Sequence, residues 1–483
     1  MPRLLLVALL LAARSLPVSA QPGSILIRNV TLVDGTGGPA RAGQSVLIRG
    51  ERIVAVGPAA RLGVPPGAEV VEGGGRFLIP GLWDMHTHVI AYGAKAFPLF
   101  VANGVTTIRE TGGSPPEKAL ALRALARTTA DPAPRVLVAG PTLDAPWMVR
   151  PGFGRWPIAT PEAARRAVDS LASLGVDFVK VHSATPRAAY FAVLERARAR
   201  GLMVVGHIPD SVAPAEAIRA GQRTIEHDWR LPTAMSREGD RLSREMLARM
   251  QVALDAGGDQ PKLWPVVQQR IAADSLARES FDSAAAWAFG RAAAEAAVWF
   301  DPTLMVLLTQ ARRNEPAVRL PPELRFVPPE GLEFEDGLPP KEHPTDEDIA
   351  AGRRAYAEAL QTIRALAAAG ARFVAGTDTP VLPLVPGFAL QGELEQLVAA
   401  GLSPAQAIAA ATGNAAAAMG REPELGTIAA GKVADLVLLG ADPLADIRNT
   451  RQITAVILRG RLLDRSALDG LLAQAEAQGA PAR

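Results

Sequence analysis

From about Gly81 to about residue 420 the chain repeats one unit, a short apolar run followed by a loop and a helical stretch, and this rhythm limits the fold more than any other feature. Gly104-Val-Thr-Thr-Ile108, Arg135-Val-Leu-Val138, Val176-Asp-Phe-Val-Lys-Val181, Met203-Val-Val205, Arg223-Thr-Ile225 and Ala371-Arg-Phe-Val374 read as strands. Between them, Thr160-Pro161-Glu162 caps a helical run that stops at Gly175, and Ser403-Pro404 opens another, with proline at the first helical position where its missing N–H costs nothing. Alternation at this pace implies a parallel sheet, most simply a (β/α)8 TIM-like barrel over 81–420. The span exceeds a minimal barrel. A mostly helical insertion near 231–297 and a Pro- and acid-rich loop near 314–345 account for the excess, either as walls of the site or as solvent-exposed padding.

Both chain ends carry strand chemistry instead. Ser24 to Val33 alternates, Asp34-Gly-Thr-Gly-Gly38 turns, and Ser45-Val-Leu-Ile48 and Arg52-Ile-Val-Ala-Val56 follow around Gly50-Glu51. Ala434-Asp-Leu-Val-Leu-Leu439 and Gln452-Ile-Thr-Ala-Val-Ile-Leu458 mirror them. The expected organisation is a small β-sandwich built from 21–80 and 421–470 beside the barrel, with an Ala/Gln-rich tail over 471–483 that needs no function.

Residues 1–20 combine Met1-Pro2-Arg3, an apolar run from Leu4 to Ala13, and the small-residue stretch Val18-Ser19-Ala20. The pattern is that of a secretory signal peptide cut after Ala20, too short to span a membrane, against the alternative of a fraying apolar terminus. It predicts a periplasmic or secreted protein without a membrane span. Beyond Ala20 the charges balance, because Arg3 and Arg14 account for the whole formal excess of +2. Nothing in that balance calls for nucleic acid or an anionic surface. A homo-oligomer is compatible with the sequence. With 0 Cys, thiolate nucleophiles and thiolate metal sites are excluded.

What remains for chemistry is 6 histidines, a handful of lysines and strand-end acids. His86-Thr87-His88 places two imidazoles at i and i+2, on one face of a strand and within reach of one metal. Packed or surface histidines are the plain alternative. Lys180 lies near the end of its strand, where a buried ammonium needs an acid partner or an escape to solvent. A neutral lysine can also add carbon dioxide to give a carbamate that bridges two cations, which arginine cannot do. His182 shares the face of Lys180. His207 and His227 end successive strands, Asp378 ends the last one, and each singly could be a packed histidine or a helix cap. Tyr92 follows the His-x-His strand and is read as a substrate contact or a packed loop aromatic. Arg109 and Arg187 could clamp a carboxylate bidentately or serve structure alone. His343, between prolines, reads as solvated.

These positions sit in Pro80-Gly-Leu-Trp-Asp-Met-His-Thr-His88, Gly104-Val-Thr-Thr-Ile-Arg109, Asp177-Phe-Val-Lys180, Thr224-Ile-Glu-His227, Gly376-Thr-Asp378, Ala411-Thr-Gly-Asn414 and the stretch from Leu425 to Leu438. Over nearly the whole chain beyond residue 20 the sequence resembles the amidohydrolase superfamily, and within it the imidazolonepropionase-like and prolidase-like (Xaa-Pro dipeptidase-like) group. The resemblance implies two divalent metal ions, with His86, His88 and Asp378 on the more buried one. A carboxylated Lys180 would bridge to a second held by His207 and His227. Zinc suits imidazole and carboxylate ligands, with manganese or cobalt as alternatives. It further implies a metal-bridging hydroxide as nucleophile and Asp378 as the catalytic proton carrier. Glu110 stands where many relatives have Asp, and the loop Gly206-His-Ile-Pro-Asp-Ser211 departs from the His-Ala-His-Gly version of known dipeptidases, so substrate does not carry over with the ligands.

The leading expectation is therefore a binuclear hydrolase of an amide or peptide C–N bond in a small substrate, a dipeptide or N-acyl amino acid. A mononuclear hydrolase or deaminase of a cyclic amide or amidine is the second reading. It would want a Glu near the fifth-strand histidine, where His207 is followed by Ile-Pro-Asp, and it leaves Lys180 idle. The third reading is a catalytically inactive periplasmic binding protein, which has no use for a buried Lys and a placed Asp.

Overall fold

The computed structural model describes residues 23–149, 154–255, 272–329, 345–381 and 383–479. The expected signal peptide, His343 and residues 330–344 of the acid-rich loop lie outside the described residues. No described helix is long and apolar enough to cross a membrane.

Eight strands run parallel in chain order: Leu82–Thr87, Val105–Glu110, Arg135–Val138, Phe178–Val181, Met203–Gly206, Thr224–Glu226, Trp299–Asp301 and Arg372–Phe373. They do not form one closed ladder. The first three make one sheet, and the last five, with Thr142–Asp144 and Arg155–Pro157 added at the edge, make a second. The first seam has a local cause at Gly140 (φ 73) and Pro141. There the third strand breaks, so that Arg135–Val138 pairs backward with Val105–Glu110 and Thr142–Asp144 pairs forward with Phe178–Val181. The second seam is crossed by single bonds. Met85 N–H donates to Ala375 O at 2.9 Å, Asp378 N–H to His86 O at 2.8 Å, and His88 N–H to Thr379 O at 2.7 Å. The expectation of a regular closed barrel is corrected to this extent, although chain order and strand direction are those it predicts.

The helices between strands begin and end where their capping residues say. Pro161–Leu174 opens with the Thr160 hydroxyl accepting from Ala163 N–H at 3.2 Å and closes on Gly175 at φ 74. It buries Ala164, Val168 and Leu171, one face at helical spacing. Pro404–Ala410 starts with a Ser403–Gln406 capping box. Trp299–Asp301 was not among the expected strands; it follows the helical insertion as a run of three residues, too short to show a period.

The two chain ends do meet. Phe77–Pro80 pairs antiparallel with Leu436–Leu439 and parallel with the end of Ser24–Leu32. The result is one forked eight-stranded sheet rather than the expected two-sheet sandwich. The fork is at Ser24–Leu32, whose first half pairs Glu69–Glu72 and whose last residues pair Phe77–Pro80. This sheet encloses its own core, including Ile27, Val46, Ile48 and Ile457. The supposed tail is also corrected. Arg465–Gln478 is a helix capped by Asp464, and it buries Leu468, Leu471 and Ala475. A separate cluster closes the bottom of the parallel strands, where Trp83, Leu137, Phe178, Val205 and Trp299 pack with Ala415, Ala416 and Met419.

Candidate metal centre

At the opposite, C-terminal ends of these strands four histidines converge. Ring centroids of His86 lie 5.2 Å from His88 and 5.1 Å from His227, and His207 lies 4.9 Å from His227. Each ring is tethered through Nδ1. His86 Nδ1 is 3.0 Å from Glu226 Oε2, and His88 Nδ1 donates to Gly112 O at 2.9 Å. His207 Nδ1 shares a hydrogen bond with Ser183 Oγ at 2.7 Å, and His227 Nδ1 with Thr303 Oγ1 at 2.6 Å. An imidazole held this way presents Nε2 as its open ligand atom, the arrangement by which outer partners orient metal-binding histidines. His86 and His88 aim Nε2 at Asp378 Oδ1, at 3.4 and 3.3 Å. Ligand atoms of His86, His227 and Asp378 all lie within 4.8 Å of one another.

Backbone conformation helps place them. His227 (φ 63), Asp378 (φ 60) and Thr303 (φ 48) all occupy the left-handed region, which costs of order 1–3 kcal/mol for a non-glycine residue and persists where surrounding structure imposes it.

Electrostatics favour the ligand-competent neutral state in three of the four rings. Burial pulls His86 down to about 3 and lowers His207 and His227 as well, so these rings are neutral near pH 7, as metal coordination requires. Burial also acts to lower His88, but its hydrogen bond to Asp378 and that residue's charge bring it above the usual value. For Asp378 burial works upward, and the facing His86, His88 and His227 outweigh it, holding the carboxyl well below the ordinary range.

Lys180 sits under this group, 2% exposed, and its Nζ makes no hydrogen bond among the described residues. Burial pushes it down to about 8, against the upward pull of Glu226 and Asp378. Its space is kept by Gly206 (φ 126), where a Cβ would stand 2.1 Å from Val181 O and 3.0 Å from Lys180 Cδ. An amine without a partner, beside imidazoles tethered at Nδ1 and a carboxylate, is a donor set that divalent ions fit. His182 ends the same strand, its ring 4.1 Å from His207 and its Nδ1 3.2 Å from Asp144 Oδ2. It stays at the mouth, 21% exposed at the side chain.

Arg109, an expected substrate contact, is occupied elsewhere. Arg109 is fully buried, and its Nη2 donates to Glu226 at 2.8 and 3.0 Å and to Asp301 Oδ2 at 3.1 Å. Its Nη1 reaches Thr224 Oγ1 and its Nε the Met85 carbonyl. A guanidinium so occupied cannot also clamp a substrate, and we assign it to the layer beneath the histidines. Tyr92 lies in the main apolar core at 2% exposure, as buried as the candidate ligands His86 and Lys180. Arg187 pairs with Glu216 at 2.5 Å on the surface.

Three site residues escaped the sequence reading. Glu226 orients His86 and neutralises Arg109; it lay in plain view one residue before His227. Asp301 and Thr303 come with the missed strand. His86, Glu226 and Asp301 also bring ligand atoms within 4.8 Å, but both carboxylates already accept from Arg109, which marks that group as an ion network. Arg109 and His86 hold Glu226 well down despite burial, while burial and Glu226 push Asp301 well up.

Similarity to known proteins agrees with this geometry. An adenine deaminase of Rubrobacter xylanophilus is 43% identical over 68 residues, 14% of this chain and 11% of that protein. An N-acyl-D-aspartate deacylase of Alcaligenes xylosoxydans xylosoxydans is 43% identical over 86 residues, 17% of this chain and 16% of that one. The matched segments thus span only a small part of these curated relatives. Solved structures match end to end at lower identity. Bottromycin amidohydrolase superposes with a TM-score of 0.70 at 22% identity, covering 95% of this chain and 91% of its own. A Xaa-Pro dipeptidase with bound methionine superposes with 0.65 at 19%, covering 92% and 100%. The amidohydrolase family model matches residues 77–463, from the last N-terminal strand of the sheet through the strands and the histidine cluster to the sheet's final strand. The chain belongs to the amidohydrolase family.

Proposed function

We propose that this protein hydrolyses an amide or peptide C–N bond of a small substrate at a binuclear centre held by His86, His88, Lys180, His207, His227 and Asp378. The observation that carries the reading is the buried Lys180 Nζ, which has no hydrogen-bond partner among the described residues, set among histidines whose Nδ1 atoms are all tethered. A neutral Lys180 amine adds carbon dioxide, forming an N–C bond and releasing one proton. The carbamate then supplies two oxygens where the ammonium would have been an unpaired buried charge. His86, His88, His207, His227, Asp378 and the carboxylated Lys180 would hold two divalent ions, zinc best matching this donor set, which when bound would supply hydroxide at neutral pH and polarise a carbonyl.

The chain's own residues do the rest. Asp378, facing His86 and His88 and 17% exposed, can accept a proton on the solvent side and return it to the leaving nitrogen. His182 at the rim stands where a substrate carbonyl or amide can meet it. Glu226 and Thr303 fix the rings of His86 and His227 and need not touch substrate. The dipeptidase and deacylase named among the similar proteins support dipeptides and N-acyl amino acids as the first substrates to try. The short match to an adenine deaminase supports deamination as the alternative reading, and in the mononuclear form of that reading Lys180 would have no role. We place the enzyme outside the cytoplasm on the pattern of residues 1–20.

The test is turnover of amide and dipeptide libraries by zinc-loaded protein, repeated with Asp378→Asn. Proton transfer of this kind contributes about 10²–10⁴-fold, so kcat should fall by that range while the protein stays folded. Turnover unaffected by the substitution contradicts the assignment.

A further inference from the structure

The helix Leu304–Ala311 follows the seventh parallel strand, Trp299–Asp301, and starts in an unusual way. A residue at the start of a helix usually stands in the extended region, from which its side-chain oxygen accepts from one of the first free N–H groups. Thr303 is in the left-handed region instead (φ 48, ψ 48), and its side chain caps nothing. Its Oγ1 lies 2.6 Å from His227 Nδ1. The first free N–H groups are taken by a residue from far along the chain. Leu304 N–H donates to Glu393 Oε1 at 3.0 Å, and Met305 N–H to Glu393 Oε2 at 2.8 Å.

Glu393 belongs to Phe388–Ala399, the helix after the eighth parallel strand, and is fully buried. Gly392 lets the two helices come together, since a Cβ there would stand 2.7 Å from Met305 Sδ. Burial pushes the Glu393 carboxyl up to about 8, and the charge of Asp84 adds to this, against the pull of the two N–H groups. An acid set so deep is a costly cap. Elsewhere in this chain a threonine does the same task alone. Thr160 caps Pro161–Leu174 and Thr345 caps Asp346–Ala368, each from the extended region and through its own hydroxyl. Thr303 differs from both in that its hydroxyl is engaged by a candidate ligand. With Nδ1–H donated to that hydroxyl, His227 presents Nε2 to a metal ion.

We propose that Glu393 is a positioning residue of this centre: it caps the helix Leu304–Ala311 in place of Thr303 and so leaves the Thr303 hydroxyl free to orient His227. Glu393 itself need not touch a metal ion or substrate. Without the carboxylate, two buried N–H groups need another acceptor, and the hydroxyl at the helix start is the one ordinarily used. The consequence for metal binding rests on the metal-centre reading above; the hydrogen-bond chain from Glu393 to His227 does not.

The test reads zinc affinity by competition with a chelator on wild type, Glu393→Gln, Thr303→Val and the double variant. It also reads the imidazole NMR signals of the same metal-free proteins made with isotope-labelled histidine. Loss of an outer partner lowers metal affinity by about 10–100-fold, and Glu393→Gln should show about the lower figure. Acting through Thr303, it should leave the double variant binding zinc no more weakly than Thr303→Val alone, whereas independent effects multiply. In the spectra, assigned with His227→Asn and His88→Asn, Glu393→Gln should shift the His227 signals as Thr303→Val does. The signals of His88, tethered to Gly112 O, should stay in place. A merely structural role would move both rings or neither. Glu393→Asp, shorter by a methylene, serves the same comparison if Glu393→Gln does not fold. His227 shifts in a protein that binds no zinc and cleaves no amide would sink the metal-centre reading and keep the chain from Glu393 to His227. Unshifted His227 signals, or multiplied losses in the double variant, would overturn the proposal whether or not amides are cleaved.

Discussion

Inside the parallel strands Arg109, Lys180, Glu226 and Asp301 are each at most 2% exposed, whereas the core of the chain-end sheet is built from residues such as Ile27, Ile48 and Ile457. The first region buries a cluster of charged groups, whereas the core of the second is mostly hydrocarbon, with Ser45 and Asp435 buried beside it. A buried ion network commonly stabilises less than well-packed apolar side chains of the same volume, because desolvation offsets the Coulombic gain. Much of that cost is accepted around the strand ends that carry the histidines, where Arg109, Lys180, Glu226 and Asp301 are buried. What the network does there is visible in its contacts: Glu226 is fixed by Arg109 and in turn fixes His86. The difference between the regions is thus one of purpose, with stability supplied by the sheet and the apolar layers and geometry supplied by the charges.

Breaking the network should have the largest effect on folding. Arg109→Met removes one partner and leaves Glu226 and Asp301 uncompensated, a change that costs about 3–5 kcal/mol, measurable by urea denaturation. The sign with pH follows from burial. Without the guanidinium both carboxyls have folded-state pKa values raised above their unfolded ones, as Asp301 already has. Their contribution is intact below the unfolded carboxylate range and is lost as pH rises, so the variant should be less damaged at pH 5 than at pH 8. Equal damage at both values would mean that packing, not charge, is what Arg109 provides.

A smaller and more selective effect should follow from loosening a single tether. Thr303→Val keeps the shape of the residue and removes the hydroxyl on His227 Nδ1. Loss of such a partner lowers metal affinity by about 10–100-fold, to be read by competition with a zinc chelator, with little change in thermal stability. The chain-end sheet gives the counterpart. Ile457→Val in its core should cost about 0.5–1.5 kcal/mol and leave zinc affinity unchanged. If that substitution weakened zinc binding, the proposed division between the two regions would fail.

The same division explains what could be read in advance. His86 and His88 follow from strand alternation, Lys180 from the oddity of a lysine on a buried strand, and the chain-end strands from their own alternation. Residues whose role depends on partners arriving from other strands were not legible. Nothing around Arg109 in the sequence says that carboxylates from two distant strands close on it, and its abundance as a residue type hid it further. Asp301 and Thr303 were missed because a three-residue strand carries no period and this one directly follows a helical insertion. The final helix was overlooked for a different reason. Leu468, Leu471 and Ala475 recur at helical spacing, but among alanines and glutamines the stripe is thin, and its packing on Phe97–Ala102, Pro322–Phe326 and Ile453–Leu458 makes it part of the core. The two seams depend on Gly140-Pro141 and on the bend at Asp378, local breaks that an ideal barrel pattern does not contain.

The central claim is that the histidine cluster and Lys180 form one bridged metal centre. It is tested most directly by elemental analysis of metal per chain, on wild type and Lys180→Ala prepared with zinc and bicarbonate present. The account predicts about two zinc ions per wild-type chain, the number a bridging ligand serves, and a marked loss in the variant. One ion or none, unchanged by Lys180→Ala, would contradict it.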